Sequence, residues 1–115
     1  MGKNIPLKIG LSKEIEQFVA RKKTRSTRGT YQSAYQQFLI YYRDKHSGNA
    51  TIPDFVEAVY DDLDKPLRER QRVAENELSG YVAFLQSLDP PKSNNTVRTY
   101  VACMLDIRIQ GIERN

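Results

Sequence analysis

The chain has 115 residues, 39% of them hydrophobic and 28% charged, a balance that excludes a disordered chain and suits one domain folding without metals or disulfides. A lone cysteine, Cys103, excludes an internal disulfide, and one Cys with one His, His46, excludes a zinc site built from those ligands. No stretch reaches the ~18 apolar residues of a membrane span and the N-terminus lacks a signal-peptide core, so a soluble protein of the reducing cytoplasm is expected.

Apolar residues recur at helical spacing, without strand alternation or an internal repeat, and predict an all-α protein of four to five helices. Residues 1–11 are expected to be an N-terminal extension. The first helix is predicted over Lys13–Lys22, capped by Ser12, with Glu14 and Glu16 at the positive end of its dipole and Ile15, Phe18 and Val19 turned inward. Next comes the segment Arg21–Arg28, with five basic residues in eight and no acidic one. It carries most of a local imbalance: residues 1–60 hold ten Lys/Arg against five Asp/Glu, whereas residues 61–115 hold eight against nine.

The second helix is predicted over Arg25–Lys45, capped by Thr24. Its stripe, Tyr31, Ala34, Tyr35, Phe38, Leu39 and Tyr42, follows i, i+3, i+4, i+7, i+8, i+11. His46 falls at its end, where an imidazole suits the dipole better than a catalytic role. A third helix over Pro53–Leu63 starts with proline in its first turn and buries Phe55, Val56 and Val59. Asp61, Asp62 and Asp64 fit a solvated turn better than a cation site, with Asp64 as cap of the following helix. That fourth helix is predicted over Lys65–Leu88, with Leu67, Ala74, Leu78, Tyr81, Leu85 and Leu88 on one stripe and Arg68 and Arg72 elsewhere. Gly80 weakens it by ~1 kcal/mol of propensity. The fifth is predicted over Asn94–Gln110, capped by Ser93. Its wide stripe, Val97, Tyr100, Val101, Met104, Leu105, Ile107 and Ile109, marks it as the most central helix, with Cys103 a buried small hydrophobe.

Enzymatic motifs are lacking: there is no Walker loop and no GxGxxG, and no cofactor or metal is expected. Two helix starts do repeat one design. Thr24-Arg25-Ser26-Thr27 and Ser93-Asn94-Asn95-Thr96 each place a hydroxyl cap, two polar residues and a threonine before an apolar stripe. Ordinary capping explains part of this; open N–H groups among short polar side chains and cations also suit phosphate oxygens and base edges.

Thr24-x-x-Thr27-x-x-x-Tyr31 followed by Phe38, after the Phe18 helix and before Ser93-x-x-Thr96-Val97, resembles the N-terminal core-binding domain of tyrosine recombinases and phage-type integrases. The resemblance covers about Ser12 to Ile109. It implies a SAM-like bundle over residues 12–110 that clamps duplex DNA during integration and recombination. A linker would start at 111–115 and lead to a separate catalytic domain, so this chain would not itself be an enzyme. The implied partners are double-stranded DNA and that catalytic domain, in a parent tetrameric on DNA. Carried over by motif, the DNA-facing positions are Thr24, Ser26, Thr27 and Thr30, with Lys22, Lys23, Arg25 and Arg28 as phosphate partners, and Lys92, Ser93, Asn94, Asn95, Arg98 and Thr99 at the last helix. Arg25 and Arg28, three residues apart, are expected on one side of the helix start. Lys23 stands where an apolar residue is common in the family, and Gly29 is unusual in the second turn. A helical protein-interaction module that does not bind DNA is the alternative; seven tyrosines, more than the core stripes need, favour it.

Overall fold

The computed structural model describes residues 12–107, which form an all-helical globule. Among them are five α-helices, α1 (Lys13–Ala20), α2 (Arg25–Lys45), α3 (Ile52–Leu63), α4 (Val73–Gln86) and α5 (Asn94–Asp106), with one 3-10 turn at Leu67–Glu69 and no strand. None of these helices is long and apolar enough to cross a membrane. The whole of the expected extension, residues 1–11, and the expected linker, with Ile109 and Gln110, lie outside the described residues.

The hub is α2, not α5: α1, α4 and α5 all pack on it, while α4 also meets α3 and α5. At 21 residues it is the longest helix, ~30 Å at 1.5 Å per residue. Its predicted stripe is the core: Ala34, Tyr35, Phe38 and Leu39 are almost wholly enclosed. Phe38 sits at the centre, its ring 4.8 Å from Phe55 and 5.2 Å from Tyr81. The apolar face of α5 is narrower than predicted, because Val101 and Leu105 are only half-buried while Val97, Cys103, Met104 and Ile107 are buried.

Local signals set most boundaries. Ser12, Thr24 and Ser93 cap α1, α2 and α5 as predicted. One residue before its expected start, α3 begins with a capping box, in which the Thr51 N–H donates to Asp54 (2.8 Å) and the Asp54 N–H to the Thr51 hydroxyl (3.2 Å). Two residues before its expected end, α1 stops. The N–H groups of Arg21 and Lys22 fold back to the Phe18 and Val19 carbonyls, and Arg28 donates from Nη1 to the Lys22 carbonyl at 2.8 Å, supplying a partner just beyond the helix end.

The fourth helix departs furthest from expectation. It starts at Val73, eight residues later than Lys65, and Leu67 is 78% exposed. Asp64 is the C-cap residue of α3, and the residue at the N-cap of α4 is Arg72. The cause is Asp62, which is 4% exposed rather than part of a solvated turn. Its carboxylate accepts the N–H groups of Gln71 (2.7 Å) and Val73 (3.2 Å), capping α4 from the end of α3. Satisfying both bonds folds residues 65–72 into a bulge that ends at Arg72 in the left-handed region, φ 55°. The Gln71 N–H, and after it that of Val73, hold the Asp62 carboxyl below the usual range.

Candidate nucleic-acid interface

The two repeated helix starts share one hydrogen-bond arrangement. At α2 the Thr24 hydroxyl accepts the Thr27 N–H (3.0 Å) and donates to the Thr27 hydroxyl (2.8 Å); at α5 the Ser93 hydroxyl accepts the Thr96 N–H (3.2 Å) and donates to the Thr96 hydroxyl (3.0 Å). Each hydroxyl pair satisfies a first-turn donor internally, and the earlier N–H groups of each helix have no intrahelical acceptor.

Because α5 packs across α2, these starts lie side by side and frame an open cleft of about 550 Å³. Ser26, Gly29, Thr30 and Ser33 form one wall, spaced i, i+3, i+4, i+7 along α2; Asn95, Thr96, Thr99 and Tyr100 form the other. Thr30 donates its hydroxyl to the Ser26 carbonyl (3.1 Å), which holds it against the helix. The wall is all short hydroxyl, amide and glycine apart from Tyr100. No Asp or Glu occurs between Arg21 and Arg43 or between Pro90 and Leu105, the segments that build it. Such a surface can offer hydroxyls, amides and helix-start N–H groups to an anion without opposing charge.

The candidate residues divide by placement. Ser26, Thr30, Asn95 and Thr99 line the cleft, Thr24, Thr27 and Ser93 build its two caps, and Lys23 and Arg25 are exposed next to it. Lys92 is half-buried just before α5. Asn94 and Arg98 turn to the neighbouring face of α5, where they border an apolar groove with Val82, Val97, Val101 and Leu105. Lys22 points into the protein: its ammonium is 2.8 Å from Asp106 and 4.5 Å from the ring centroids of Phe18 and Tyr31. Arg28 is turned back onto the Lys22 carbonyl, so it does not stand beside Arg25 as an outward cation. Burial pushes the Asp106 carboxyl up, but Lys22 and the Tyr31 hydroxyl, which donates at 2.7 Å, outweigh this and hold it below the usual range.

Gly29, Ser33, Thr96 and Tyr100 were not among the sequence candidates. The signal for Gly29 and Ser33 was a stripe of small residues on the side of α2 away from the aromatic stripe, legible only once Thr96 and Tyr100 of α5 supplied the facing wall. No family model, curated protein or solved structure matches the chain.

The tyrosines do not form an exposed surface. Tyr35, Tyr41, Tyr42 and Tyr81 are buried and Tyr31, Tyr60 and Tyr100 pack half-buried against the core. His46 caps α2 and lies 2.7 Å from Glu77 through Nε2. Glu77, buried in α4, also accepts the Tyr41 hydroxyl (3.0 Å) and lies 3.3 Å from the Lys45 ammonium. Among the described residues, no group of three His, Cys, Asp or Glu is placed to hold a metal.

Proposed function

We propose that this chain binds duplex DNA through the α2/α5 cleft, as the N-terminal core-binding domain of a site-specific tyrosine recombinase. The observation that carries the reading is the pairing of two like-capped helix starts, distant in sequence, across one cleft free of acidic side chains. In this reading the cleft walls approach a groove edge, while Arg21, Lys23, Arg25 and Lys92 neutralise phosphates. Lys22 and Arg28 serve instead to fix the turn between α1 and α2. Bond cleavage and rejoining would belong to the catalytic domain of the parent protein. A second reading, docking of a helical protein partner, draws on the groove of Val82, Val97, Val101 and Leu105.

Titration of a labelled duplex at several salt concentrations tests the proposal. With about four phosphates neutralised, log affinity falls against log salt with a slope near −3.6. Replacing Thr30 and Asn95 with valine and leucine weakens binding at preferred sequences more than at others. Absence of binding at low salt, or a response flat in salt, removes the DNA reading.

A further inference from the structure

Helix α5 carries more apolar surface than the core takes up. Val97, Cys103, Met104 and Ile107 are buried in the bundle, whereas Val101 and Leu105 of the same helix are half-buried and Ala102 is exposed. With Val82 of α4 they wall an open groove of about 470 Å³, which the otherwise buried Val97 also lines. The α5 residues of this groove, Asn94, Val97, Arg98, Val101, Ala102 and Leu105, follow i, i+3, i+4, i+7, i+8, i+11. They form one helix face over three turns, about 16 Å long. None of them lines the α2/α5 cleft, so a ligand in the cleft leaves the groove open.

The backbone and the charge of the groove define its occupant. Both walls are helices, and beyond the first turn of α5 their backbone groups are bonded internally, so an extended chain finds no ladder there. A segment that enters must satisfy its own backbone, which makes it a helix with an apolar inner face. Among the lining residues the charge is Arg98 alone, exposed one turn from the amide of Asn94, and no carboxylate accompanies it. An acidic side chain on the rim of the incoming helix complements that arginine. Two copies of this face laid against each other bring together arginine and apolar residues only, so a partner that carries the acid fits better than a second copy of the chain.

We propose that the α4/α5 groove docks an acidic amphipathic helix of a protein partner, about three turns long, with its apolar face on Val82, Val101 and Leu105 and a carboxylate at Arg98. The inference rests on the second reading above, docking of a helical partner, and is independent of DNA binding at the cleft. It is tested by titrating the isotope-labelled full chain with helix-constrained peptides of about 14 residues. Each carries leucines at i, i+4, i+7 and i+11, with glutamates flanking them at varied positions, and a matched set carries lysines instead. Amide shifts centre on Val82 and Val97–Leu105, and the best glutamate peptide binds about fivefold or more tightly than its lysine match. R98E reverses that preference. A102E, a charge added at an exposed helical position, weakens the glutamate peptide by about tenfold with the helical circular dichroism unchanged. Shifts in the groove that are equal for both sets overturn the acidic partner and leave the docking reading in place. No shift with any peptide at millimolar concentration overturns both. Three other occupants would also overturn the proposal: a second copy, seen as groove shifts on dilution of the free chain; the chain's own residues 1–11 or 108–115, seen as contacts to Val101 and Leu105 in the free chain; and duplex DNA, seen as displacement of the peptide.

Discussion

Four tyrosine hydroxyls are used inside the fold: Tyr31 donates to Asp106, Tyr35 to the Cys103 carbonyl, Tyr41 to Glu77 and Tyr81 to the Ala34 carbonyl. Burial, the first cause in each case, raises the pKa of all four. A phenol held neutral with its proton committed is a poor nucleophile at neutral pH. These four tyrosines are therefore expected to form no covalent adduct with DNA; a denaturing gel followed by peptide mapping that finds label on any of them contradicts this. Burial likewise pushes the Cys103 thiol up to about 11, so thiol reagents should label the folded chain slowly and the denatured chain at once. Asp106 holds the basic turn through Lys22 and Tyr31. Its depressed pKa means that this stabilisation is present above the ordinary carboxylate range and is lost as pH falls through the depressed value. Asp106→Asn should cost about 1–3 kcal/mol at neutral pH in a denaturant titration, with the gap to the parent chain closing in acid. These pairings join residues far apart in the chain, so single residue types disclosed them poorly: Cys103 was legible as buried, but Lys22 reads in sequence as one more solvated cation.

Two helical glycines make opposite demands. A Cβ at Gly80 would collide with the Tyr41 hydroxyl, which passes over this position to reach Glu77. Alanine gains ~1 kcal/mol of helix propensity there but must displace that ring. Gly80→Ala should lower stability by ~1 kcal/mol net, and less in a Tyr41→Phe background, which a double-mutant cycle by thermal or denaturant unfolding measures. At Gly29 a Cβ meets nothing. Gly29→Ala should stabilise the chain by ~0.5–1 kcal/mol while placing a methyl group in the cleft wall, so weaker DNA binding by this more stable variant would locate the ligand there. The start of α4 depends on Asp62 rather than on any residue beside it. Asp62→Asn should loosen residues 65–72, seen as faster amide exchange at Gln71 and Val73. It should also remove the part of the acid sensitivity that comes from losing the ionised form below the carboxylate range. The helix starts after Ser12, Thr24 and Ser93 were legible from the preceding cap residue, whereas the start after Thr51 was read one residue late. The boundary at Val73 was not legible, because its cap comes from another helix.

At the scale of the molecule, the bundle turns two local capping motifs into one surface. The composition, the period of the apolar residues and the caps determined by themselves that the chain is helical, where α2 lies and which of its faces is buried. All of these follow from interactions within about four residues, which sequence spacing encodes directly. The same spacing showed the two helix starts as candidates and the charge excess of Arg21–Arg28. Tertiary structure alone decided that α5 crosses α2 so that Ser26 and Thr30 face Asn95 and Thr99, that Arg98 faces away, and that Lys22 and Arg28 are turned inward. It also decided that Asp62 is buried and the Lys65–Arg72 bulge exposed. The physical reason is common to these cases. A cation or carboxylate is equally satisfied by water or by a partner elsewhere in the chain, and only the packing of the aromatic core around Phe38 brings the partners within reach.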